Sequence, residues 1–438
     1  MKFIRASAQI SEHGKFNKKL IANNAGLQQP GLLQCSVAES YCGPSMETTT
    51  TTPISTLGDT PVSEGKRIIA LDALRGLAVM GMILVVSAGS WGHRLPMLDH
   101  APWHGYTLAD LVFPAFLFAV GAAMALGFPS DRPIGQHAGR VGRRTLSLIG
   151  LGLLLNLLPS FDFASLRIPG VLQRIGLCYA IAAIIMLSTA KRVNSVRILN
   201  VKGLVLATLA LLIGWVLVLS FTSAPGYPAG SVTPAGTLAA WVDRQVFTVA
   251  HLWPYGTNAA GEVVYDPEGL LSSLPATANV LIGATFAHWL GRAPSGRQLK
   301  LGIAAGFALV CIGHLLDPLF VINKRIWTSS FAIVSSGWAA MAYCLLFPAL
   351  QAAAGRKILQ PVLVLGSNAI LAFILSQVFL AYSGTPIGGT SPQNFGFQVA
   401  SSVVGSPWAA SLLCAFGILA IVTLLVWPLN RQGIFLRL

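Results

Sequence analysis

The chain has 438 residues, of which 54% are hydrophobic and only 10% are charged, and its formal net charge is +14. Soluble globular domains carry roughly 25% charged residues, so the composition excludes a soluble domain and predicts an all-α, polytopic bundle of transmembrane helices. In a membrane protein, lysines and arginines retained in cytoplasmic loops explain the positive charge better than nucleic acid, which we do not expect as a partner.

Residues 1–65 differ from the rest of the chain. They include a run of five threonines at 48–52, and they contain neither a spanning segment nor the apolar core of a signal peptide. We interpret them as a disordered tail that precedes a transmembrane domain over residues 66–438. Met46 is an alternative start, which would make residues 1–45 a gene-model extension. N-terminal sequencing that found these residues in native protein would reject that hypothesis.

The remainder of the chain is divided into apolar segments. A helix needs about 20 predominantly apolar residues to cross a bilayer, and the sequence predicts about ten such spans. Their approximate bounds are 68–89, 107–127, 143–159, 171–189, 202–221, 270–290, 299–321, 328–350, 361–382 and 407–429. The longest connection, 222–268, is rich in Pro and Gly turn signals and is predicted to be a loop.

Basic residues predict the orientation of these spans. With the N-terminus in the cytoplasm, the cytoplasmic connections hold 17 Lys and Arg residues and the opposite connections hold 5. This comparison omits the tail and two arginines inside predicted spans, Arg75 and Arg174. Because basic residues are retained in the cytoplasm, we expect both termini on that side.

The first predicted span contains a charged pair. Asp72 and Arg75 are three residues apart on one helix face, and Arg75 lies roughly 10 Å into the span at 1.5 Å per residue. A charge at the centre of a spanning helix costs about 2.5–3.5 kcal/mol on insertion scales, so such residues mark pairs or sites. Two interpretations stay open here: a structural ion pair, and an anion contact through the guanidinium.

Histidines and carboxylates crowd the connection after the first span. They are His93, Asp99, His100, His104 and Asp110. Histidine titrates near neutrality and suits general-base catalysis, although a solvated loop is the alternative for each residue taken singly. Thr107 and Asp110 also match a capping box, with Asp in place of Glu. No spacing of histidines or cysteines predicts a metal site.

Polar residues from later connections fall on the same predicted side of the membrane. They are Arg167, Arg174, His251, Asp266, Glu268, Lys324 and Arg325. Their clustering argues that they act together. We expect the helices to enclose a conduit between a basic cytoplasmic side and this histidine-bearing side. Asn368 lies inside the ninth span, where helix–helix hydrogen bonding is the alternative to a role in binding.

Several stretches together resemble the catalytic domain of heparan-alpha-glucosaminide N-acetyltransferases and their bacterial relatives. The matching motifs, in chain order, are Leu-Asp-Ala-Leu-Arg-Gly at 71–76, His-Ala-Pro-Trp-His-Gly-Tyr-Thr at 100–107, Asp-Leu-Val-Phe-Pro at 110–114, Arg-Ile-Pro-Gly-Val-Leu-Gln-Arg at 167–174, Asp-Pro-Glu-Gly-Leu at 266–270, and Asn323–Lys324 with Trp327. One departure is Val-Ser-Ala-Gly at 86–89, where bacterial relatives often carry Asn-Asn-Pro-Gly.

The resemblance implies an integral membrane enzyme that transfers acetyl from acetyl-CoA to the amine of a glucosamine-type sugar. Acetyl-CoA is then a co-substrate, and no permanently bound cofactor is expected. The resemblance also implies a multi-pass protein of a bacterial inner membrane with the acceptor on the periplasmic side, where the topology inferred from the basic residues independently places the His100 loop. The expected partners are the lipid bilayer, acetyl-CoA and an amino sugar, and a homodimer is left open.

The same resemblance identifies His100, which precedes Ala-x-Trp, as the catalytic histidine. We expect His100 to take a proton from the attacking amine, with Asp110 orienting it, and a covalent acetyl-histidine step stays open. The residues predicted to bind the acetyl-CoA phosphates are Arg75, Arg140, Arg143 and Arg144. The residues predicted to bind the acceptor or its oxyanion are Arg174, His251, Glu268, Lys324 and Asn368.

Three other functions compete with this interpretation. A sugar or lipid transporter or flippase also uses intramembrane charges and broken helices, although the sequence shows no convincing internal repeat. An acyltransferase with another acyl donor or an O-acyl acceptor is the second alternative. The third is a non-catalytic membrane scaffold, which leaves the clustered polar residues unexplained.

Overall fold

The computed structural model describes residues 68–128, 133–386 and 388–436. Within these ranges the chain is predominantly helical, as the composition predicts. The predicted disordered tail, residues 1–65 with Met46, lies outside the described residues.

The described chain contains fourteen α-helices, one β-hairpin and two short 3₁₀ helices, Pro96–Leu98 and Val249–His251. The helices are α1 (Ile69–Val86), α2 (Leu108–Leu126), α3 (Ile134–Leu157), α4 (Val171–Thr189), α5 (Val201–Phe221), α6 (Leu238–Phe247), α7 (Ser273–Leu290), α8 (Gly296–Leu316), α9 (Ser329–Gln351), α10 (Ala353–Ile358), α11 (Gln360–Ser367), α12 (Ala369–Ser383), α13 (Pro392–Val404) and α14 (Pro407–Arg431). The hairpin consists of the antiparallel strands β1 (Lys191–Val193) and β2 (Val196–Ile198), which join α4 to α5.

Seven described helices are long and apolar enough to cross a membrane. They are α1, α2, α4, α5, α8, α9 and α14, and the bent pair α11–α12 makes an eighth if it is counted as one span. The helices α3 and α7 coincide with predicted spans but fall outside this count. A multi-pass helical membrane protein is therefore supported, whereas the predicted count of ten is not confirmed.

Polar contacts and close backbone packing hold the buried helix α7 in the bundle. The Asn279 side chain, which is fully buried, donates to Ser336 Oγ on α9 at 2.8 Å and accepts from the Trp327 indole N–H at 3.0 Å. On another face, a Cβ added at Gly283 would collide with the backbone carbonyl of Phe118 on α2. Satisfied polar groups and small residues are the usual means of packing helices inside a membrane.

The first and last apolar helices define two ends of the bundle. At one end Asn430 of α14 donates to Ser367 Oγ at 2.6 Å, beside the start of α1. At the other end the backbone N–H of Ser90, after α1, donates to Ser411 Oγ in α14 at 3.2 Å. We call the first the arginine end, after Arg75, and the second the histidine end, after the connection that carries His100. The helices α1 and α14 are thus antiparallel.

The structure departs from the sequence predictions in two elements. The predicted loop 222–268 contains α6, whose first turn is capped by Thr237 Oγ1 accepting from the Ala240 N–H at 3.1 Å. The predicted ninth span, 361–382, is broken at Asn368, where the axis bends by 91°. The reason for the break is that Asn368 has non-helical dihedral angles and hydrogen-bonds a distant part of the chain through its side chain.

Candidate active site: a cavity with two charged ends

A cavity of about 590 Å³ lies beside α1 and α2. Its wall contains Asp72 and Val86 from the two ends of α1, and Ala109 and Leu126 from the two ends of α2. A helix of this length measures roughly 28 Å at 1.5 Å per residue, so the cavity extends across most of the bundle. Its volume falls within the range of small-molecule sites, about 300–1,000 Å³.

His100 lies in the cavity wall at the histidine end and is paired with Asp110. His100 Nδ1 lies 2.7 Å from Asp110 Oδ1, and because an ionised carboxylate only accepts, the imidazole donates from Nδ1. This tautomer leaves Nε2 unprotonated. The other oxygen of Asp110 accepts from the backbone N–H groups of Ala101 and Thr107, each at 3.0 Å. Asp110, only 1% exposed, therefore fixes both the imidazole and its loop.

The start of α2 places Asp110 where it makes these contacts. Thr107 and Asp110 form a capping box at the first turn of α2, as the sequence predicts. Thr107 Oγ1 also donates to the Asp99 carbonyl oxygen at 2.6 Å, and the Asp99 side chain accepts from the His100 N–H at 2.8 Å. The helix cap and the loop contacts thus hold Asp110 and His100 in position relative to each other.

Lys324, from the connection between α8 and α9, joins this pair in the cavity wall. Its Nζ lies 3.3 Å from Asp110 Oδ1 and 3.2 Å from His100 Nδ1. Because Nδ1 donates to Asp110, the ammonium donates to the carboxylate. Burial lowers the pKa of His100 and the charge of Lys324 lowers it further, whereas Asp110 opposes both effects. The net lowering favours the neutral imidazole that a general base requires.

Glu268 also lies in the cavity wall, where it interacts electrostatically with Lys324. It is held by Arg167, whose Nη2 lies 2.5 Å from Glu268 Oε2 and which also donates to both oxygens of Asp266, from Nε at 2.9 Å and from Nη2 at 2.6 Å. Burial opposes ionisation of Glu268, but the surrounding cations, Arg167 first, outweigh burial and lower its pKa. Glu268 therefore faces the cavity as a carboxylate.

Two further buried ionisable side chains hold the turn after Glu268. Asp243 of α6 accepts from the Leu270 N–H at 2.8 Å, and Arg174 of α4 donates from Nη2 to the Gly269 carbonyl at 3.0 Å and to Ser272 Oγ. Burial raises the pKa of Asp243 to about 7. Arg174 Nε and Nη1 have no hydrogen-bond partner among the described residues. Arg174 is not in the cavity wall, and its described contacts hold this turn; its role in substrate binding stays a prediction.

Two other predicted substrate-binding residues also lie away from the wall. His251 Nδ1 bonds to the Leu166 carbonyl at 2.7 Å and ties together two loops at the histidine end. Asn368 lies at the arginine end and hydrogen-bonds the backbone at Ile434 and Leu436. Neither side chain lies in the cavity wall with His100. Each instead hydrogen-bonds a part of the chain that is distant in sequence, and sequence spacing does not reveal such contacts.

Three arginines lie in the wall at the arginine end, and they are Arg75, Arg144 and Arg292. Arg75 Nη1 lies 3.4 Å from Asp72 Oδ1, as their spacing predicts. The Arg144 guanidinium packs 4.7 Å from the ring centroid of Tyr179. Arg292, directly after α7, donates to the Leu126 carbonyl at 2.9 Å. The wall at this end therefore carries clustered guanidinium groups.

The structure separates the three arginines of the predicted cluster on α3. Arg144 reaches the cavity, whereas Arg140 and Arg143 are exposed and lie outside its wall. On an α-helix Arg143 points about 100° away from Arg144, and Arg140 lies one turn further out. Arg292 was not predicted as a site residue. Its only sequence signal is its place among the basic residues of a predicted cytoplasmic connection.

Comparison with known proteins agrees with the motifs. A family model described as "Heparan-alpha-glucosaminide N-acetyltransferase, catalytic" matches residues 67–316, a range that contains His100, Asp110 and Glu268. Heparan-alpha-glucosaminide N-acetyltransferase of Homo sapiens is 27% identical over 360 residues, which cover 72% of this chain and 53% of the relative. The Mus musculus protein of the same name is 25% identical over 370 residues, which cover 74% and 55%.

The chain thus spans about half the length of the curated relatives it matches. The family model matches more than half of this chain, and this confirms the resemblance inferred from the motifs. The chain belongs to the heparan-alpha-glucosaminide N-acetyltransferase family.

Proposed function

We propose that this protein is an integral membrane acyltransferase that moves an acetyl group from acetyl-CoA to the amine of a glucosamine-type sugar. One observation carries the proposal: a cavity has the His100–Asp110 pair at one end and three arginines at the other. Amine acylation by a thioester needs a base at the attacking nitrogen, and the donor phosphates need cations some distance away. The two ends supply these two requirements.

The donor lies with its phosphates at the arginine end. The guanidinium groups of Arg75, Arg144 and Arg292 suit phosphate oxygens because they present paired donors in a fixed plane. The wall between the two ends is mainly apolar, with Val79, Met82, Val112, Phe113 and Phe116 among its residues. This middle section accommodates the flexible pantetheine arm, so the thioester reaches toward His100.

The acceptor amine reacts at the histidine end. His100 Nε2 takes a proton from the amine as its nitrogen bonds to the thioester carbonyl carbon. The tetrahedral intermediate then collapses, the carbon–sulfur bond breaks, and the imidazolium returns the proton to the leaving CoA thiolate. Asp110 stabilises the imidazolium, and the nearby Lys324 ammonium supports the oxyanion. Glu268 accepts hydrogen bonds from the sugar.

A covalent route is the alternative for the same site. In that route Nε2 attacks the thioester, CoA leaves, and the acetyl-imidazole then acylates the amine. Incubation with labelled acetyl-CoA in the absence of acceptor separates the two routes. Label retained on the protein, and absent from the His100→Ala variant, supports the covalent route.

The proposed topology has ten spans, with α3, α7 and the α11–α12 pair counted among them. Basic connections are retained in the cytoplasm, so the arginine end faces the cytoplasm and the histidine end faces the periplasm of a bacterial inner membrane. The donor then comes from the cytoplasmic acetyl-CoA pool, and the acceptor reacts on the opposite side.

The proposal is tested with purified full-length protein in nanodiscs, labelled acetyl-CoA and a panel of amino sugars. We expect N-acetylated product with glucosamine, and no product with N-acetylglucosamine, which lacks a free amine. His100→Ala abolishes transfer and retains CoA binding, whereas His104→Ala, which changes an exposed histidine outside the wall, retains transfer. Full activity of His100→Ala overturns the residue assignment. Absence of product from the unaltered protein with every amino sugar overturns the proposed function.

A transporter is the second candidate, because the cavity reaches both ends of the bundle. Its test is uptake of labelled glucosamine into proteoliposomes without acetyl-CoA. Accumulation of unmodified sugar favours transport, and uptake equal to that of protein-free vesicles favours the transferase.

A further inference from the structure

The segment that follows α14 returns to the cavity at the arginine end. The Ile434 N–H donates to the Leu429 carbonyl at 2.9 Å, which turns the chain back on the end of the helix. Phe435 and Leu436 then lie in the cavity wall, in the same wall as Arg75. Nothing in the proposed reaction so far uses these two side chains.

Asn368 holds this segment by two hydrogen bonds that flank Phe435. Its Nδ2 donates to the Ile434 carbonyl at 3.0 Å, and its Oδ1 accepts from the Leu436 N–H at 2.9 Å. The Asn368 side chain is almost fully buried, at 1% exposure. An amide that pairs with the backbone on both sides of one residue fixes the position of that residue. The residue held in this way is aromatic.

Asn368 can make these two hydrogen bonds because the helix is broken between α11 and α12. Asn368 has φ −125° and ψ 43°, outside the helical range, and the two helix axes differ by 91°. Irregular backbone at membrane depth is tolerated only where protein or a cavity surrounds it. Next to the break, Ser367 accepts from Asn430 at 2.6 Å, which ties the end of α14 to the same place. The interrupted helix and the returning segment therefore form one unit.

We propose that Phe435 is the stacking surface for the adenine ring of acetyl-CoA, and that Asn368 is the positioning residue that keeps Phe435 there. This inference rests on the proposed function. Acetyl-CoA is linear, in the order thioester, pantetheine arm, phosphates and adenosine. From the histidine end the cavity offers His100, an apolar section and then the arginine end, whose wall carries three arginines together with Phe435.

The exposure of the segment fits a nucleobase surface. Ile434 and Leu436 are 51% and 42% exposed, whereas Phe435 between them is half-buried in the wall. Purines stack on aromatic rings, and losing such a contact weakens binding by roughly 1–3 kcal/mol per base, or about five- to 150-fold. An aliphatic side chain of similar size packs against the protein but lacks the flat aromatic face.

The experiment compares acetyl-CoA with S-acetylpantetheine, which has the same thioester and lacks the nucleotide. Phe435→Leu keeps most of the side-chain volume and removes the aromatic face. We expect it to raise KM for acetyl-CoA about tenfold, with kcat unchanged and KM for S-acetylpantetheine unchanged. Phe435→Tyr keeps KM for acetyl-CoA near its original value. Asn368→Ala gives the same donor-selective rise, because the ring is no longer held.

Ile434→Ala is the matched control, since this neighbouring side chain is exposed and lies outside the wall. It changes KM for neither donor. An equal rise in KM for acetyl-CoA and S-acetylpantetheine in Phe435→Leu overturns the inference. The side chain would then contribute only to the shape of the cavity. Unchanged KM values overturn it as well. If the unaltered protein uses neither donor, the proposed function itself fails. That result is visible before any variant is made.

Discussion

The two ends of the cavity use charge in different ways. At the histidine end, carboxylates and cations alternate at hydrogen-bonding distance, so that Asp110 contacts both His100 and Lys324, and Glu268 contacts Arg167. Among the described wall residues at the arginine end, three are arginines and one, Asp72, carries a carboxylate. A balanced network fixes positions and protonation states, whereas an excess of positive charge attracts a polyanion. The difference separates the place of chemistry from the place of donor binding.

After the loss of His100 itself, the largest expected effect comes from changing the buried carboxylate Asp110 at the histidine end. Asp110→Asn keeps the size of the side chain but removes the charge that stabilises an imidazolium, and its amide can donate to Nδ1 and impose the other tautomer. We expect kcat to fall about 10²- to 10⁴-fold, with KM for acetyl-CoA little changed. Steady-state kinetics in nanodiscs measures both values. A loss below threefold would show that Asp110 has only a structural role.

Arg167 tests whether the network at the histidine end also holds the fold together. Arg167→Met leaves Asp266 and Glu268 buried without their shared cation, and breaking a buried pair costs about 3 kcal/mol or more. The apparent Tm of the solubilised protein therefore falls. Arg140→Met, at an exposed arginine outside the wall, is the control and leaves Tm unchanged. Equal Tm values for the two variants would contradict the network's structural role.

Substitutions at the arginine end should change the binding of acetyl-CoA and leave the chemical step unchanged. Arg292→Ala removes one guanidinium from the wall, and we expect KM for acetyl-CoA to rise about fivefold, which corresponds to about 1 kcal/mol. The difference shrinks at high salt because exposed charges are screened. Arg143→Ala, on the exposed face of α3, is the matched control and leaves KM unchanged. A change in kcat with unchanged KM would place Arg292 with the chemistry.

The smallest expected effect is a displacement of the pH profile, which in Lys324→Met accompanies the fall in kcat expected from loss of the ammonium that supports the oxyanion. A general base works unprotonated, so activity falls as pH drops through the pKa of His100. Lys324 lowers that pKa, second only to burial, and Lys324→Met therefore raises it and moves the acidic limb of the kcat/KM profile to higher pH. A limb that stays in place, or that moves to lower pH, would show that Lys324 does not act on His100.

Local contacts in this molecule follow from the sequence, and distant ones do not. The pairs Asp72–Arg75 and Thr107–Asp110 are three residues apart, and helix geometry alone predicts that they meet. The apolar segments predict most helices because a bilayer demands length and hydrophobicity. Arg292 and Arg75 line one cavity because α2 packs against both α7 and α1, which no sequence spacing encodes.

The break at Asn368 shows the same limit. The segment 361–382 is predominantly apolar and has no charged residue, so its composition predicts one straight span, and a single asparagine inside it is compatible with ordinary helix–helix contact. The partner that interrupts the helix lies at residues 434–436, over 60 positions away. Likewise, the cluster of arginines on α3 is visible in the sequence, but which of them faces the cavity depends on how α3 is rotated in the bundle.

The central claim is that donor and acceptor meet from opposite ends of one cavity, and sidedness tests it most directly. The protein is reconstituted into sealed vesicles. Its orientation is determined by labelling a cysteine introduced into loop 159–166, at the histidine end, with a membrane-impermeant maleimide. Acetyl-CoA is placed only on the side of the arginine end and glucosamine only on the other. The account predicts N-acetylglucosamine on the glucosamine side and free CoA on the donor side, with no product from His100→Ala. Product formed only when both substrates share one side would contradict it.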